Sequence, residues 1–183
     1  MNSIQTPYRY SSLLISLHWL MFVLLVVVFA TIEMRGQFPR GSDTRELVKA
    51  LHFMLGICVL LLVVVRLVVR FSTKTPAILP EPKPYEKILA AIVHISLYAF
   101  MIFMPIAGWL ILSAEGHGVP FFGMELPALI GEDKAFAEQV EDLHKQVGEI
   151  GYYLIGLHIV AGLFHHYIRR DNTMLRMSLF KSK

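Results

Sequence analysis

The stretch LHKQVGEIGYYLIGLH, residues 143–158, decides the fold. It carries His144 and His158, and from Ile150 the chain runs to Ile168 without an Asp, Glu, Lys or Arg. In an α-helix, the step from His144 to His158 is about 21 Å of rise and about 40° short of whole turns, so both imidazoles lie on nearly one face. Ionisable side chains inside a membrane are costly and usually functional. This face therefore predicts a site with two levels.

A helix needs roughly 20 mostly apolar residues to cross a bilayer. Besides Ile150–Ile168, three stretches qualify: Tyr10–Ile32, Leu47–Arg70 and Ile88–Ala114. The sequence predicts an all-α membrane protein: a single domain over residues 1–183, with four transmembrane helices in a bundle. The expected spans are about 12–33, 47–70, 88–113 and 144–168.

The composition agrees with a membrane protein and excludes other classes. Of 183 residues, 55% are apolar and 17% are charged, and the mean hydropathy is +0.56. These values exclude a disordered chain, a nucleic-acid-binding module and an ordinary water-soluble enzyme. Cys58 is the single cysteine, which excludes a disulfide framework and a zinc or iron–sulfur site built on thiolates.

Lysine and arginine set the expected orientation, because they are more frequent on the cytoplasmic side. One side of the predicted bundle carries eleven of them: Arg9, Arg66, Arg70, Lys74, Lys83, Lys87, Arg169, Arg170, Arg176, Lys181 and Lys183. The other side carries six: Arg35, Arg40, Arg45, Lys49, Lys134 and Lys145. The sequence therefore predicts a multi-pass protein with both termini in the cytoplasm.

Two of the connecting segments have a distinct character. Thr75–Tyr85 contains four prolines, which predicts a stiff, extended connector. Gly131–Ile150 contains none, and its apolar residues recur at helical spacing. It predicts an amphipathic helix that continues directly into the fourth span.

The other histidines complete the two levels. His52 begins the second span near the outer face, at the depth of His144, and His18 lies in the inner half of the first span, at the depth of His158. His94 lies in the inner half of the third span and competes with His18 as the partner of His158. His165 lies two turns beyond His158 on the same face and is a candidate to hydrogen-bond a haem propionate or a quinone oxygen.

Two levels of paired imidazoles suit two bis-histidine haems stacked across the bilayer, and two strong axial ligands favour electron transfer. Glycine follows three of these histidines by one turn, at Gly56, Gly148 and Gly162, and leaves room for a flat group. A zinc or copper site is disfavoured, because it needs three or four ligands in one layer and each level here supplies two. A di-metal carboxylate site is also disfavoured, because the spans contain almost no Asp or Glu to bridge the metals. The remaining alternative is a haem-free bundle stabilised by hydrogen-bonded histidines.

The chain resembles the bacterial cytochrome b561 family, four-helix di-haem proteins of the inner membrane, over nearly its whole length. The matching segments are SLLISLHWLMF (12–22), EMRGQFPR (33–40), LHFMLGI (51–57), VVRLVVR (64–70), ILPEPKP (78–84), LHKQVGEIGYYLIGLH (143–158) and HHYIRRDNTMLRM (165–177). In that family the first and second spans give one haem ligand each and the fourth gives two. The resemblance thus implies the iron ligands His18, His52, His144 and His158 and two haem b groups.

The resemblance also implies exchange of electrons with ubiquinone, and a characterised member is a superoxide oxidase. We therefore expect a superoxide:ubiquinone oxidoreductase of the bacterial inner membrane, with superoxide or another small donor at the periplasmic face. Superoxide is an anion, so Arg35 and Arg40 of the first outer loop are the candidates to attract it. His165 and Lys83 are the candidates to bind a quinone carbonyl, although Glu81 makes the connector less basic than is usual in the family.

The alternative function is a membrane-anchor cytochrome b subunit, which passes electrons between quinone and a peripheral redox partner. The broad superfamily that the chain resembles contains such subunits. The third loop, of roughly 30 residues, is the segment expected to dock a partner, since it is acidic and predicted to contain an amphipathic helix.

Overall fold

The computed structural model describes residues 8–180. Lys181 and Lys183, which contribute to the predicted orientation, lie outside this range. The elements in chain order are α1 (Ser12–Arg35), α2 (Asp43–Ser72), α3 (Pro84–Ala114), β1 (Val119–Phe121), β2 (Met124–Leu126), α4 (Lys134–Phe164), a π-helical turn (His165–Arg169) and the short α5 (Thr173–Arg176).

Polar residues begin the long helices by binding backbone N–H groups that have no partner within the helix. Ser11 Oγ accepts from the N–H of Leu14, and Ser42 Oγ accepts from that of Arg45, both at 3.3 Å. The α3 helix starts at Pro84, whose fixed φ suits the first turn. These short signals set where each apolar stretch becomes helical.

Four helices are long and apolar enough to cross a membrane: Ser12–Arg35, Asp43–Ser72, Pro84–Ala114 and the continuous Lys134–Arg169. Large apolar side chains are exposed along all four, as expected for helices that face lipid. The predicted fold class, an all-α bundle of four candidate membrane-spanning helices, is confirmed. The predicted amphipathic helix is also present, since α4 begins at Lys134 and continues without a break into the apolar part.

The four helices pack in sequence, each against the next, but the first and the fourth do not pack closely. Helix α2 packs against α1 and α3, and α3 packs against α4. Within residues 8–180, no Cα of α1 comes within 8 Å of a Cα of α4. An apolar groove of about 330 Å³ runs between these two helices, lined by Phe22, Leu25, Val26, Phe29, Tyr152, Ile155 and Ile159.

We call the two ends of the bundle the hairpin end and the termini end. The hairpin end carries β1 and β2, an antiparallel pair in which Val119 faces Leu126. The sequence did not lead us to expect this hairpin. Its turn uses Phe122 and Gly123, with φ of 47° and 83°, and positive φ at both central residues is typical of a type I′ turn.

The termini end is held together by the segment that follows α4. The backbone N–H of Asn172 donates to Leu79 O (3.1 Å), and Asn172 Oδ1 accepts from the N–H of Leu79 (2.8 Å). The Asn172 side-chain amide also donates to Ala77 O at 3.2 Å. These bonds fasten the proline-rich connector to the end of the chain, and no helix forms between α2 and α3.

Candidate functional site

Two histidines face each other at the hairpin end. His52, on α2, and His144, on α4, have ring centres 6.3 Å apart with an interplanar angle of 74°. Both side chains are half-buried. The structure therefore brings together the two residues that the sequence assigns to the outer level.

The ring of His52 is held by α1. Its Nδ1 lies 3.2 Å from Val28 O and 3.3 Å from Thr31 Oγ1. Because a carbonyl oxygen only accepts hydrogen bonds, Nδ1 carries the proton, which leaves the Nε2 lone pair free to coordinate a metal. Thr31 is buried and donates its hydroxyl to the same carbonyl at 2.6 Å. Sequence reasoning missed Thr31, whose position one turn before the loop gives no signal of this contact.

His144 has a nitrogen without a hydrogen-bond partner. Its Nδ1 is buried and bonds to nothing within residues 8–180, although buried polar atoms in native proteins nearly always have a partner. Gly108 of α3 lies beside the ring, since a Cβ at that position would be 3.7 Å from His144 Cε1. A buried imidazole with a nitrogen that has no hydrogen-bond partner is suited to binding a further group.

At the termini end, two histidines lie beside His158. The ring centre of His18 is 6.1 Å from that of His158, and the ring centre of His94 is 5.5 Å from it. His18 and His158 are half-buried, whereas His94 is exposed on α3. Both partners named from the sequence are thus within reach of His158.

These pairs fit a haem between their rings. A metal–imidazole bond is about 2 Å long and the ring centre lies farther back, so two imidazoles on opposite sides of one metal have centres roughly 6 Å apart. A Cβ at Gly56, one turn after His52, would meet nothing within 4 Å. The space beside Gly56 is therefore open to a flat group. Among the described residues, no group of three or more His, Cys, Asp or Glu side chains is arranged to hold a metal ion.

His165 bonds a carboxylate that sequence reasoning missed. Its Nδ1 is 2.5 Å from Asp171 Oδ2, and Asp171 also accepts from the backbone N–H of Thr173 at 2.9 Å. Burial raises the pKa of Asp171, but these hydrogen bonds outweigh it and hold the pKa below its usual value. His165 begins a π-helical turn, which ends at Arg170 with φ 53°. The α-helical spacing from which the position of His165 was predicted therefore does not hold beyond α4.

The basic residues of the α1–α2 loop have different roles. Arg35 is half-buried at the end of α1, while Arg40 is exposed. Arg45 donates from Nη1 to the carbonyls of Arg35 (3.0 Å) and Phe38 (2.9 Å), so it stabilises the loop. Lys83 is exposed at the start of α3, with its Nζ 5.8 Å from the ring centre of Tyr85, and it is not a hydrogen-bond partner of His165.

Comparison with known proteins places this geometry in a family. The family model described as "Prokaryotic cytochrome b561" matches residues 9–178. The chain is 34% identical to "Cytochrome b561 homolog 1" of Escherichia coli (strain K12), with 92% of this chain and 96% of the relative covered. It is 36% identical to "Probable superoxide oxidase CybB" of Yersinia pestis, with 92% and 95% covered. It is 28% identical to "Cytochrome b561 homolog 2" of Escherichia coli (strain K12), with 97% and 95% covered. The chain therefore belongs to the prokaryotic cytochrome b561 family, membrane proteins that bind b-type haem and transfer electrons.

Proposed function

We propose that this protein is a superoxide:ubiquinone oxidoreductase that carries electrons across the inner membrane through two bis-histidine b haems. The observation that carries the proposal is the pairing of imidazoles at two levels, with ring centres 6.3 Å and 6.1 Å apart. Two superoxide anions, one ubiquinone and two protons give two dioxygen molecules and one ubiquinol. Each haem iron supplies a one-electron change between the ferric and ferrous states.

The proposed iron ligands are His52 and His144 at the hairpin end, and His18 and His158 at the termini end. The step from His144 to His158 corresponds to about 21 Å along α4, which spans most of the hydrocarbon core. The exposure of His94 supports His18 as the partner of His158. Bis-histidine ligation suits electron transfer rather than oxygen binding.

The hairpin end is the proposed site of superoxide oxidation. Superoxide is an anion, and a basic surface raises its local concentration. Arg35 and Arg40 are the proposed attracting residues, with Arg35 nearer to the His52 level. The printed name of the Yersinia pestis relative, a probable superoxide oxidase, supports this donor.

The termini end is the proposed site of ubiquinone reduction. His165 is the proposed partner of a quinone oxygen, because its Nδ1 is engaged by Asp171 and its Nε2 remains available. Lys83 is a second, weaker candidate at this end. The excess of lysine and arginine at the termini end supports a cytoplasmic location of both termini. The protons taken up by ubiquinol would then come from the cytoplasm.

A second candidate function is a membrane anchor that passes electrons between quinone and a peripheral redox partner. The observation that favours it is the β-hairpin, whose turn exposes Phe122 and Met124 to 67% and 65%. Exposed apolar residues on a projecting turn suit contact with another protein.

The ligand assignment is tested by counting haems in purified protein. The pyridine haemochrome assay is applied to the wild type and to His18→Ala, His52→Ala, His144→Ala and His158→Ala, with His94→Ala as the matched control. We expect two b haems in the wild type, loss of haem in each of the four variants and none lost in the control. A single haem in the wild type, or loss in His94→Ala instead of His18→Ala, contradicts the assignment.

The direction of electron flow is tested by stopped-flow kinetics on the purified single chain. Superoxide should reduce the haems rapidly, and ubiquinone should reoxidise them with formation of ubiquinol. Reduction by quinol but not by superoxide favours the anchor, and removal of the hairpin turn should then abolish binding of its partner subunit.

A further inference from the structure

Arg66 of α2 is a buried cation within an apolar stretch. Its exposed fraction is 8%, and its neighbours in sequence are Val65 and Leu67. Among the described residues, no Asp or Glu oxygen lies within ion-pair distance of it: the recorded ion pairs all involve other side chains. A charge in such surroundings is costly and is usually functional.

The guanidinium is held between two helices that carry histidines. Arg66 Nη1 donates to Leu14 O of α1 at 3.1 Å, and Nε donates to Tyr98 Oη of α3 at 3.3 Å. Leu14 lies one turn before His18, and Tyr98 lies one turn after His94. The charge is therefore fixed next to the histidine level at the termini end.

Both hydrogen-bond partners of Arg66 are neutral, so they satisfy the donors without cancelling the charge. An arginine guanidinium carries its positive charge permanently in proteins. In a low-dielectric interior such a charge acts strongly on nearby groups. The group it favours is one that gains negative charge, and a haem iron that accepts an electron is such a group.

We propose that the buried charge of Arg66 raises the reduction potential of the haem held by His18 and His158 above that of the haem held by His52 and His144. The inference rests on the proposed function, since it takes a haem at each pair. Arg66 thereby draws electrons toward the end where ubiquinone is reduced. The half-buried Arg35 near His52 has a smaller effect, because water and salt screen it.

The test is a spectroscopic redox titration of the purified protein, in which the two haems are followed separately. The variants are Arg66→Gln, which removes the charge, and Arg66→Lys, which keeps it. Tyr98→Phe removes one hydrogen bond and keeps the charge. Arg70→Gln is the matched control, because Arg70 lies one turn farther along α2 and is half-buried, with its guanidinium 5.7 Å from the Tyr10 ring.

We expect Arg66→Gln to lower the ferrous-to-ferric ratio of the haem held by His18 and His158 about tenfold at a fixed potential. The haem held by His52 and His144 should be unchanged. Arg66→Lys, Tyr98→Phe and Arg70→Gln should change that ratio less than threefold. The inference is overturned if Arg66→Gln shifts neither haem or both equally, or if the lysine variant or Arg70→Gln gives the same shift. If Arg66→Gln does not retain both haems, Arg66→Met, which is unbranched and uncharged, is titrated with the same criteria.

The haem count separates this inference from the proposed function. A wild type that binds fewer than two haems, or His18→Ala with both haems retained, contradicts the proposed site. Two haems with the expected ligand losses, together with unshifted potentials in Arg66→Gln, contradict only the role of Arg66.

Discussion

Gly151 of α4 lies directly against the ring of Phe100 of α3: a Cβ at position 151 would be 2.4 Å from Phe100 Cζ. Gly151 is midway between His144 and His158 in sequence, so it shares their helix face. Phe100 is buried, and its ring is stacked on that of Phe29 with centres 6.4 Å apart. An aromatic ring therefore separates the two histidine levels, and only glycine at position 151 makes room for it.

Gly151→Ala should destabilise the protein, because the buried Phe100 ring has to move. Overpacking of this kind costs about 1–3 kcal/mol, measured as a lower midpoint of thermal unfolding in detergent. Gly156→Ala is the control on the same helix, since a Cβ there would meet nothing within 4 Å. Equal stability of the two variants would contradict the close contact.

Thr31→Val should change the haem at the hairpin end and leave the other unaffected. Without the Thr31 hydroxyl, one donor fewer competes with the His52 Nδ1–H for Val28 O, which strengthens the bond to His52 and makes its imidazole a more basic ligand. A more basic ligand favours ferric iron, so the midpoint potential of this haem should fall in a redox titration. Thr73→Val is the control, because its hydroxyl makes a comparable bond to Val69 O (2.8 Å) at the termini end. Equal shifts in both variants would refute the effect.

Asp171→Asn should lower stability near pH 7 by weakening the bond to His165. The pKa of Asp171 is held below its usual value of 3.8, so the carboxylate stabilises the fold at and above that pH. This contribution is lost as the pH falls through the lowered pKa. Unfolding midpoints of wild type and variant should thus differ at pH 7 and begin to converge only as the pH falls from about 3.8 through the lowered pKa. Glu81→Gln, which removes an exposed carboxylate paired with Lys87 at 2.5 Å, should leave stability nearly unchanged. A difference between wild type and Asp171→Asn that persists at the lowest pH would contradict the linkage.

Arg35→Gln should slow the reaction with superoxide. Steering of an anion by a basic surface is electrostatic, so the second-order rate constant should fall several-fold at low ionic strength and less at high salt. Arg40→Gln should have a smaller effect, since Arg40 is exposed. Lys87→Gln, at the termini end, is the control and should not change the rate. A rate independent of salt in the wild type would argue against steering.

The sequence by itself determined the four apolar helices, the amphipathic start of α4 and the common face of His144 and His158. These features depend on length, hydropathy and helical period, which are local properties of the chain. Family membership also follows from the sequence, because the matching segments occur in order along it.

The tertiary structure decided which residues those histidines contact. It brings both His18 and His94 to His158, joins His165 to Asp171 through a π turn, and buries Arg66, which sequence reasoning counted only as a charge of the cytoplasmic side. It also forms the hairpin at Phe122 and Gly123. Each of these outcomes depends on contacts between segments far apart in the chain or on a departure from regular helix geometry. Neither is encoded in local periodicity.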